Sequence, residues 1–418
     1  MAKSNRIVAA DVGSFSLKRA VFVRDGSGLR MESYLATELG VEGVGEPEHS
    51  AAVTQALAEY PGAGMRGSSL AYCVPGQSIF LRPVKLPPSQ PQQLAQMVRF
   101  EAQQNVPFPM HEVVWDYQLL PGRQGEVEAV IVAIKSDLLD RINGAVAAGG
   151  ALPDIVDVAP LALYNAVRFN YPDDADGCTL VLDIGAKSTH MLFVEPGRMW
   201  VRGVPIAGNQ MTQAVATELG VSQDQARDLK HAKGFVGLGG AYEDPPDAEA
   251  ARISKVIRSV LARLHADVNR SIGFYKSQQG GATPSRVLLT GGCSALPYID
   301  LFFAEKLRVP VERLNPLRNI TLGDGVDRER LQAEGHLLGE TVGVALRALG
   351  NAPIEVNLVP VTAAAKKEAM GKVPLAAGAV ATIALMFGGH WVADHARAGK
   401  IEAQLEQRKS ELAGLQAV

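Results

Sequence analysis

Two stretches far apart in the chain carry the same pattern, and any fold must accommodate both. The first runs Ile7-Val8-Ala9-Ala10-Asp11-Val12, turns through Gly13-Ser14-Phe15, and resumes as Ser16-Leu17-Lys18-Arg19-Ala20-Val21-Phe22-Val23. The second runs Leu180-Val181-Leu182-Asp183-Ile184, turns through Gly185-Ala186-Lys187, and resumes as Ser188-Thr189-His190-Met191-Leu192-Phe193-Val194. Apolar, β-branched runs on either side of a short glycine-containing segment read as strand, tight turn, strand. Asp11 aligns with Asp183, Gly13 with Gly185 and Ser16 with Ser188. The simpler alternative is two unrelated hairpins. Read as a duplication, the pattern predicts two lobes of similar build, and 418 residues suffice for both.

The rest of the chain alternates strand and helix signals, which predicts α/β architecture. Leu86-Pro87-Pro88-Ser89-Gln90-Pro91 opens a helix with Leu94, Met97, Val98 and Ala102 on one face, stopped at Val106-Pro107-Phe108-Pro109. Strands are expected at 113–117 and 127–133 around a turn at 121–123, so a small α/β insert is expected over about 72–150. In the second half, helices are expected at 210–219, 224–230 and 248–278, with a polar loop at 237–246 and a buried strand at 286–290 ending on Gly291-Gly292. The domain reading is therefore a first lobe over 1–175 that includes the insert, a second lobe over 176–335, and a helix over 336–350 returning to the first lobe.

Charge and cysteine usage narrow the function classes. A net charge of −3 supplies no basic surface for nucleic acid. Cys73, Cys178 and Cys293 stand far apart without a CxxC, which argues against a zinc site or a disulfide framework and for a reducing compartment. The N-terminal residues enter a strand directly with no signal-peptide pattern, so the first lobe is expected in the cytoplasm.

Three glycine-containing turns carry the candidate chemistry. Successive backbone N–H groups in such a turn form an anion-binding nest, and glycine lets the backbone approach a phosphate closely. Asp11 and Asp183, one on each lobe, can hold Mg²⁺ through waters against the phosphates of a nucleotide. Ser14 and Ser16 add hydroxyl donors and Lys18 adds a positive charge. The third turn, Thr290-Gly291-Gly292-Cys293-Ser294, suits an adenosine or an α-phosphate at a following helix N-terminus. Each turn alone is an ordinary hairpin turn, and Lys18 alone an ordinary surface lysine. Their order and lobe-sized spacing favour a nucleotide site.

These segments resemble the phosphate and adenosine motifs of the actin and sugar-kinase superfamily. More narrowly, the chain resembles the type IV pilus assembly PilM family, relatives of the division protein FtsA. The narrower signature is 98–109 (Val-Arg-Phe-Glu-Ala-Gln-Gln-Asn-Val-Pro-Phe-Pro) with Trp115-Asp116-Tyr117, then Asp157-Val158-Ala159-Pro160 and Pro205-Ile206-Ala207-Gly208-Asn209. The resemblance covers about 5–350. It implies an actin-like, two-lobed fold with an FtsA-type insert and ATP with Mg²⁺ between the lobes. It places phosphate contacts on Gly13, Ser14, Ser16, Lys18, Gly185 and Ser188, further contacts on Asn209 and Lys230, and adenosine against Gly291 and Gly292. Phe15, Lys187, His190, Arg227 and Cys293 depart from the family pattern, Arg227 standing where a ribose-contacting glutamate is common. Asp157 is the one candidate for orienting an attacking water, with a structural role as its alternative. The expectation is a nucleotide-binding scaffold with slow or absent turnover.

After Asn351 the composition changes. Ile354-Glu355-Val356-Asn357-Leu358-Val359-Pro360 resembles the cytoplasmic tail of PilN, the membrane protein that PilM family members grip. An extended peptide with alternating apolar residues suits a groove beside a sheet edge, with Val356, Leu358 and Val359 in pockets and Asn357 between them, in cis or from a neighbouring chain. An ordinary linker is the plainer reading of 351–372. Residues 373–393 contain no Asp, Glu, Lys or Arg, and at 1.5 Å each a helix there spans roughly 31 Å, near the hydrocarbon thickness. A single membrane-spanning helix at the inner membrane is therefore expected, with a packed core helix as the alternative, and Ile401, Leu405, Leu412 and Leu415 suggest a short coiled coil over 394–418. The partners expected are pilus or secretion platform proteins, with further copies of the chain as an additional candidate. The alternatives weighed are an actin-like subunit of a type II secretion system, a small-molecule kinase of the same superfamily and an FtsA-like filament.

Overall fold

The computed structural model describes residues 5–26, 28–40, 45–59, 69–121, 126–150, 153–172, 177–237, 247–350, 352–359 and 361–416, with side chains described outside 361–381 and 411–416. Residues 1–359 form one unit and 360–418 another. Most of the expected turn at 121–123 and of the polar loop at 237–246 lies outside the described residues.

The duplication read from the two Asp-X-Gly segments is present as two sheets of matching topology. The first sheet has the order β14-β3-β2-β1-β4-β8, with β1 (Arg6–Val12), β2 (Ser16–Asp25), β3 (Gly28–Glu38), β4 (Leu70–Val74), β8 (Pro153–Val158) and β14 (Ile320–Leu322). The second has the order β11-β10-β9-β12-β13, with β9 (Cys178–Ile184), β10 (Thr189–Glu195), β11 (Arg198–Val204), β12 (Pro284–Thr290) and β13 (Val311–Arg313). In each, an antiparallel meander of three strands continues into parallel strands. Asp11 lies opposite Lys18 on β2 and Cys73 on β4. Asp183 lies opposite His190 on β10 and Thr290 on β12. The two aspartates therefore occupy equivalent strand ends.

Each sheet is buried by helices whose apolar stripes match their spacing. Helix α7 (Ala248–Ser277) inserts Ile253, Ile257, Val260, Leu261 and Leu264 into the core of the second lobe, and full burial of each such side chain contributes about 1.5–3 kcal/mol. Helix α4 (Ala159–Asn170) and helix α10 (Gly339–Leu349) cross against the first sheet. Their approach is so close that a Cβ on Gly343 would sit 1.7 Å from the Ala162 carbonyl oxygen. Only glycine permits that crossing, which fixes where the first turn of α10 points.

The insert is narrower than the 72–150 expected. Its three-stranded sheet, ordered β5-β7-β6, comprises β5 (Phe80–Leu86), β7 (Val127–Lys135) and β6 (Val113–Pro121), backed by α2 (Pro91–Asn105) through Leu94, Val98 and Ala102. At its margins β4 pairs with β1 in the large sheet, and α3 (Ser136–Ala148) packs on α1 (Pro47–Ala58). β4 and β7 are both buried along nearly all their length, so periodicity could not tell to which sheet each belonged. A buried ion pair, Arg198 Nε to Glu128 Oε1 at 3.1 Å, joins the insert to the second lobe.

The second unit contains the helix α11 (Val361–Gln416). Residues 361–372, expected as extended linker, are helical, in keeping with the helix propensity of their alanines and lysines. Among the described residues no helix is long and apolar enough to cross a membrane. The expected span over 373–393 therefore has no support; its part at 373–381 lies outside the residues whose side chains are described. Beyond that point Leu385, Met386, Phe387 and Trp391 are exposed.

Candidate functional site

Two adjoining cavities lie between the β-sheets of the first unit. The larger, about 560 Å³, is lined by Phe15, Ser16 and Lys18 from the first lobe and by Gly185, Asn209, Arg227, Lys230, Gly292 and Cys293 from the second. The smaller, about 130 Å³, is lined by Asp11, Gly13, Ser14, Asp183, Ser188 and Gly291. Ser16, Lys18, Gly185 and Gly292 border both. All twelve residues expected to contact a nucleotide or its metal thus meet in one cleft. Asp157 does not line it.

The strand ends set the charges. Lys18 Nζ donates to Asp11 Oδ2 at 2.7 Å, and the Cys73 thiol donates to Asp11 Oδ1 at 3.6 Å. Burial works to lower the Lys18 pKa, yet Asp11, Glu340 and Asp183 together raise it above its ordinary value. Lys18 is therefore a fixed cation between the two aspartates. Asp183 has His190 Nδ1 at 3.6 Å from its Oδ2.

Glu340, in the first turn of α10, also enters this cavity. Burial, followed by repulsion from Asp183 and Asp11, pushes its carboxyl well above the usual range. The neighbouring Lys18 ammonium acts in the opposite sense and favours the ionised form. Sequence reasoning missed it, because it is one glutamate in a helix remote in sequence from both motifs.

The loops are held as well as shaped. Gly291 has φ +81°, and a Cβ there would lie 2.5 Å from Asp183 Oδ1, so the third turn needs glycine both for its backbone and to clear the aspartate. The helix expected directly after this turn is a short 3₁₀ segment, Gly292–Ala295, followed by α8 (Ile299–Leu307). The first N–H groups of α5 (Gly208–Leu219) do not face the cleft unpaired: Gly208 N donates to Gly185 O and Asn209 N to Ala186 O, at 3.0 and 2.8 Å. Helix α6 (Gln223–Lys233) starts at a capping box formed by Ser222 and Gln225, which sets the rotation that turns Arg227 and Lys230 to the cavity. Lys230 Nζ donates to Thr212 Oγ1 at 2.8 Å.

Gln77 is the second residue that the sequence did not disclose. It lies just after β4 and spans the two loops: its Nε2 donates to Ser14 Oγ at 3.0 Å, and its Oε1 accepts from Ser188 Oγ at 3.2 Å. Two of the three hydroxyls expected to meet phosphate are thus engaged by one amide. Among the described residues no group of three or more His, Cys, Asp or Glu side chains forms a metal cage.

Asp157, on β8, lies opposite Cys73, one strand further from Asp11. Its Oδ1 accepts from Val158 N at 2.7 Å, its buried Oδ2 has no partner, and burial raises its pKa to about 7.

A second site is filled by the chain itself. Residues 354–359 lie between β8 and β6, each the outer strand of its sheet. Leu358 N donates to Val156 O at 2.8 Å, and Val156 N donates to Asn357 Oδ1 at 3.1 Å. Asn357 N donates to Asp116 Oδ2 at 2.8 Å, Glu355 N to Gln118 Oε1 at 3.1 Å, and Asn165 bonds both the N–H and the C=O of Ile354. Ile354, Val356 and Leu358 are fully buried, while Val359 is half-buried against the same core. Of the three residues expected in pockets, Val356 and Leu358 are inserted, while strict alternation buries Ile354 in place of Val359.

A family model for the type IV pilus assembly protein PilM matches residues 9–349. A solved structure described as the PilM-PilN type IV pilus biogenesis complex is 25% identical, covers 83% of this chain and 99% of its own, and superposes with a TM-score of 0.70. The ethanolamine utilization protein EutJ from Carboxydothermus hydrogenoformans matches at 15% identity over 82% of this chain and 90% of its own, TM-score 0.47. MreB 5 of Spiroplasma citri bound to AMPPNP matches at 11% identity over 82% and 96%, TM-score 0.43.

Proposed function

The chain belongs to the type IV pilus assembly protein PilM family and has its actin-like fold, and from that premise we propose that it works at the inner membrane as an ATP-binding scaffold that grips a PilN-like tail. One observation carries the nucleotide half: Asp11 and Asp183, from separate sheets, border a single cavity with Lys18 between them. The residues fit Mg·ATP. The larger cavity is of ligand size, Lys18, Arg227 and Lys230 offer positive charge, and Gly13, Gly185 and Gly291 keep side chains off the loops. When bound, Mg²⁺ offsets phosphate charge. Asp11 and Asp183 would hold it through waters, Ser14, Ser16 and Ser188 would meet phosphate oxygens, and Gly292 and Asn209 would border the nucleoside. Among the described residues no three such side chains form a metal cage, so phosphates and waters would supply the remaining ligands.

Turnover stays slow or absent on this reading, and what supports it is that Asp157, the residue singled out for orienting a water, lies opposite Cys73 one strand away from Asp11. The tail half rests on residues 354–359, whose main chain is read by Asn165, Gln118, Asp116 and Val156. In the described structure the groove takes the chain's own tail, which favours cis occupancy. The exposed Leu385, Met386, Phe387 and Trp391 offer an apolar surface to the membrane or to a membrane protein. Affinity purification of the full chain from detergent-solubilised membranes tests the scaffold reading: inner-membrane pilus proteins should accompany it. Recovery of the chain alone, free of any pilus component, would count against the role.

A further inference from the structure

Phe15 and Arg227 border the larger cavity from opposite lobes, and each is anchored on its own side. Phe15 sits in the turn between β1 and β2, where its carbonyl accepts from Leu39 N at 2.8 Å. Arg227 lies on α6, where its Nη1 reaches Asp224 Oδ1 at 3.0 Å. The guanidinium carbon stands 5.3 Å from the centre of the Phe15 ring. Phe15 and Arg227, one from each lobe, thus meet across the cleft. Arginine offers donors only, so at this place it cannot accept from a ribose hydroxyl. Its flat cation over an aromatic face supplies cohesion instead.

We propose that the Phe15–Arg227 contact is a strap that ties the two lobes over the cavity and sets how long a bound nucleotide stays. The proposal rests on the nucleotide reading above and adds to it a residence-time determinant formed by two positioning residues. Neither side chain is assigned a chemical step. The strap lies on the Lys18–Lys230 side of the cleft, the side of the larger cavity, so a nucleotide seated there leaves when the ring and the guanidinium part. The two residues belong to separate lobes, so opening the cleft by motion of one lobe against the other separates the ring from the guanidinium.

The test is the release rate of labelled ATP from the full chain with Mg²⁺, chased with excess unlabelled ATP. Phe15→Ser and Arg227→Ala should each release about three- to thirtyfold faster, the span expected for one cation–π contact. The double variant should release no faster than the faster single, because either substitution already removes the contact. Phe15→Tyr keeps an aromatic face and should release at the wild-type rate, which separates the strap from general loosening of the fold. Unchanged release in both single variants, or effects that multiply in the double, would overturn the strap while leaving the nucleotide reading intact. A wild-type chain that retains no labelled ATP would overturn both.

Discussion

The cleft and the tail groove meet the same first sheet and are built from opposite materials. The cleft gathers Asp11, Asp183, Lys18, Glu340 and His190 around three glycine turns, and its charges answer one another only in part. The groove gathers Asn165, Gln118 and Asp116 around a peptide backbone whose polar groups they satisfy, and it closes over Ile354, Val356 and Leu358. A site for a small charged ligand must leave donors and acceptors open to it, and tolerates strained or repelling neighbours. A site for a chain segment must leave no buried backbone group unpaired. The cleft should therefore be dispensable for stability, and the groove should not.

Leu358→Ala should give the largest effect on folding, a loss of about 2–5 kcal/mol in urea unfolding, since a fully buried leucine leaves a cavity. A loss below about 0.5 kcal/mol would mean that the tail is not part of the core, and the comparison would fail. Asp183→Ala, by contrast, should leave the urea midpoint close to that of wild type.

Asp157 lies between the two sites, since Val156 beside it holds the tail and Cys73 opposite it bonds Asp11. Its folded pKa of about 7 stands well above the ordinary aspartate value. The folded state therefore holds this proton more tightly than the unfolded chain. Its contribution to stability is complete below the unfolded value and is lost as pH rises towards 7. Asp157→Asn should remove that loss and stabilise the protein at pH 8 by roughly 1–4 kcal/mol, with little change at pH 4. Equal pH profiles for variant and wild type would show that the carboxyl is not held in this environment.

Gln77→Ala should produce the smallest change. It frees the Ser14 and Ser188 hydroxyls that the amide engages, so ATP affinity should shift by about two- to tenfold. A loss of binding altogether would mean that Gln77 contacts the nucleotide itself.

The same contrast explains what could be read from the chain. Asp11 and Asp183 were legible because a strand and a glycine turn mark each of them locally, and the duplicated register puts them at equivalent positions. Val356 and Leu358 were legible as pocket residues of a docking peptide because alternation is a property of the segment, whereas Ile354 was not singled out and Val359, expected in a pocket, is only half-buried. Glu340, Gln77 and the Arg198–Glu128 pair carry no local signal, since each acquires its role only when distant elements meet. The insert boundary was blurred for a related reason: β4 and β7 are both strands buried along nearly all their length, and only pairing assigns them to different sheets. The linker expected at 361–372 was a helix because alanine and lysine favour helix.

The most direct measurement is calorimetric titration of the full chain with ATP, with and without Mg²⁺, repeated on Asp11→Asn and Asp183→Asn. Saturable binding that needs Mg²⁺ and weakens at least tenfold in each variant is the predicted result. Binding indifferent to Mg²⁺ and to both substitutions, or no heat in the wild type, would contradict the reading of the cleft.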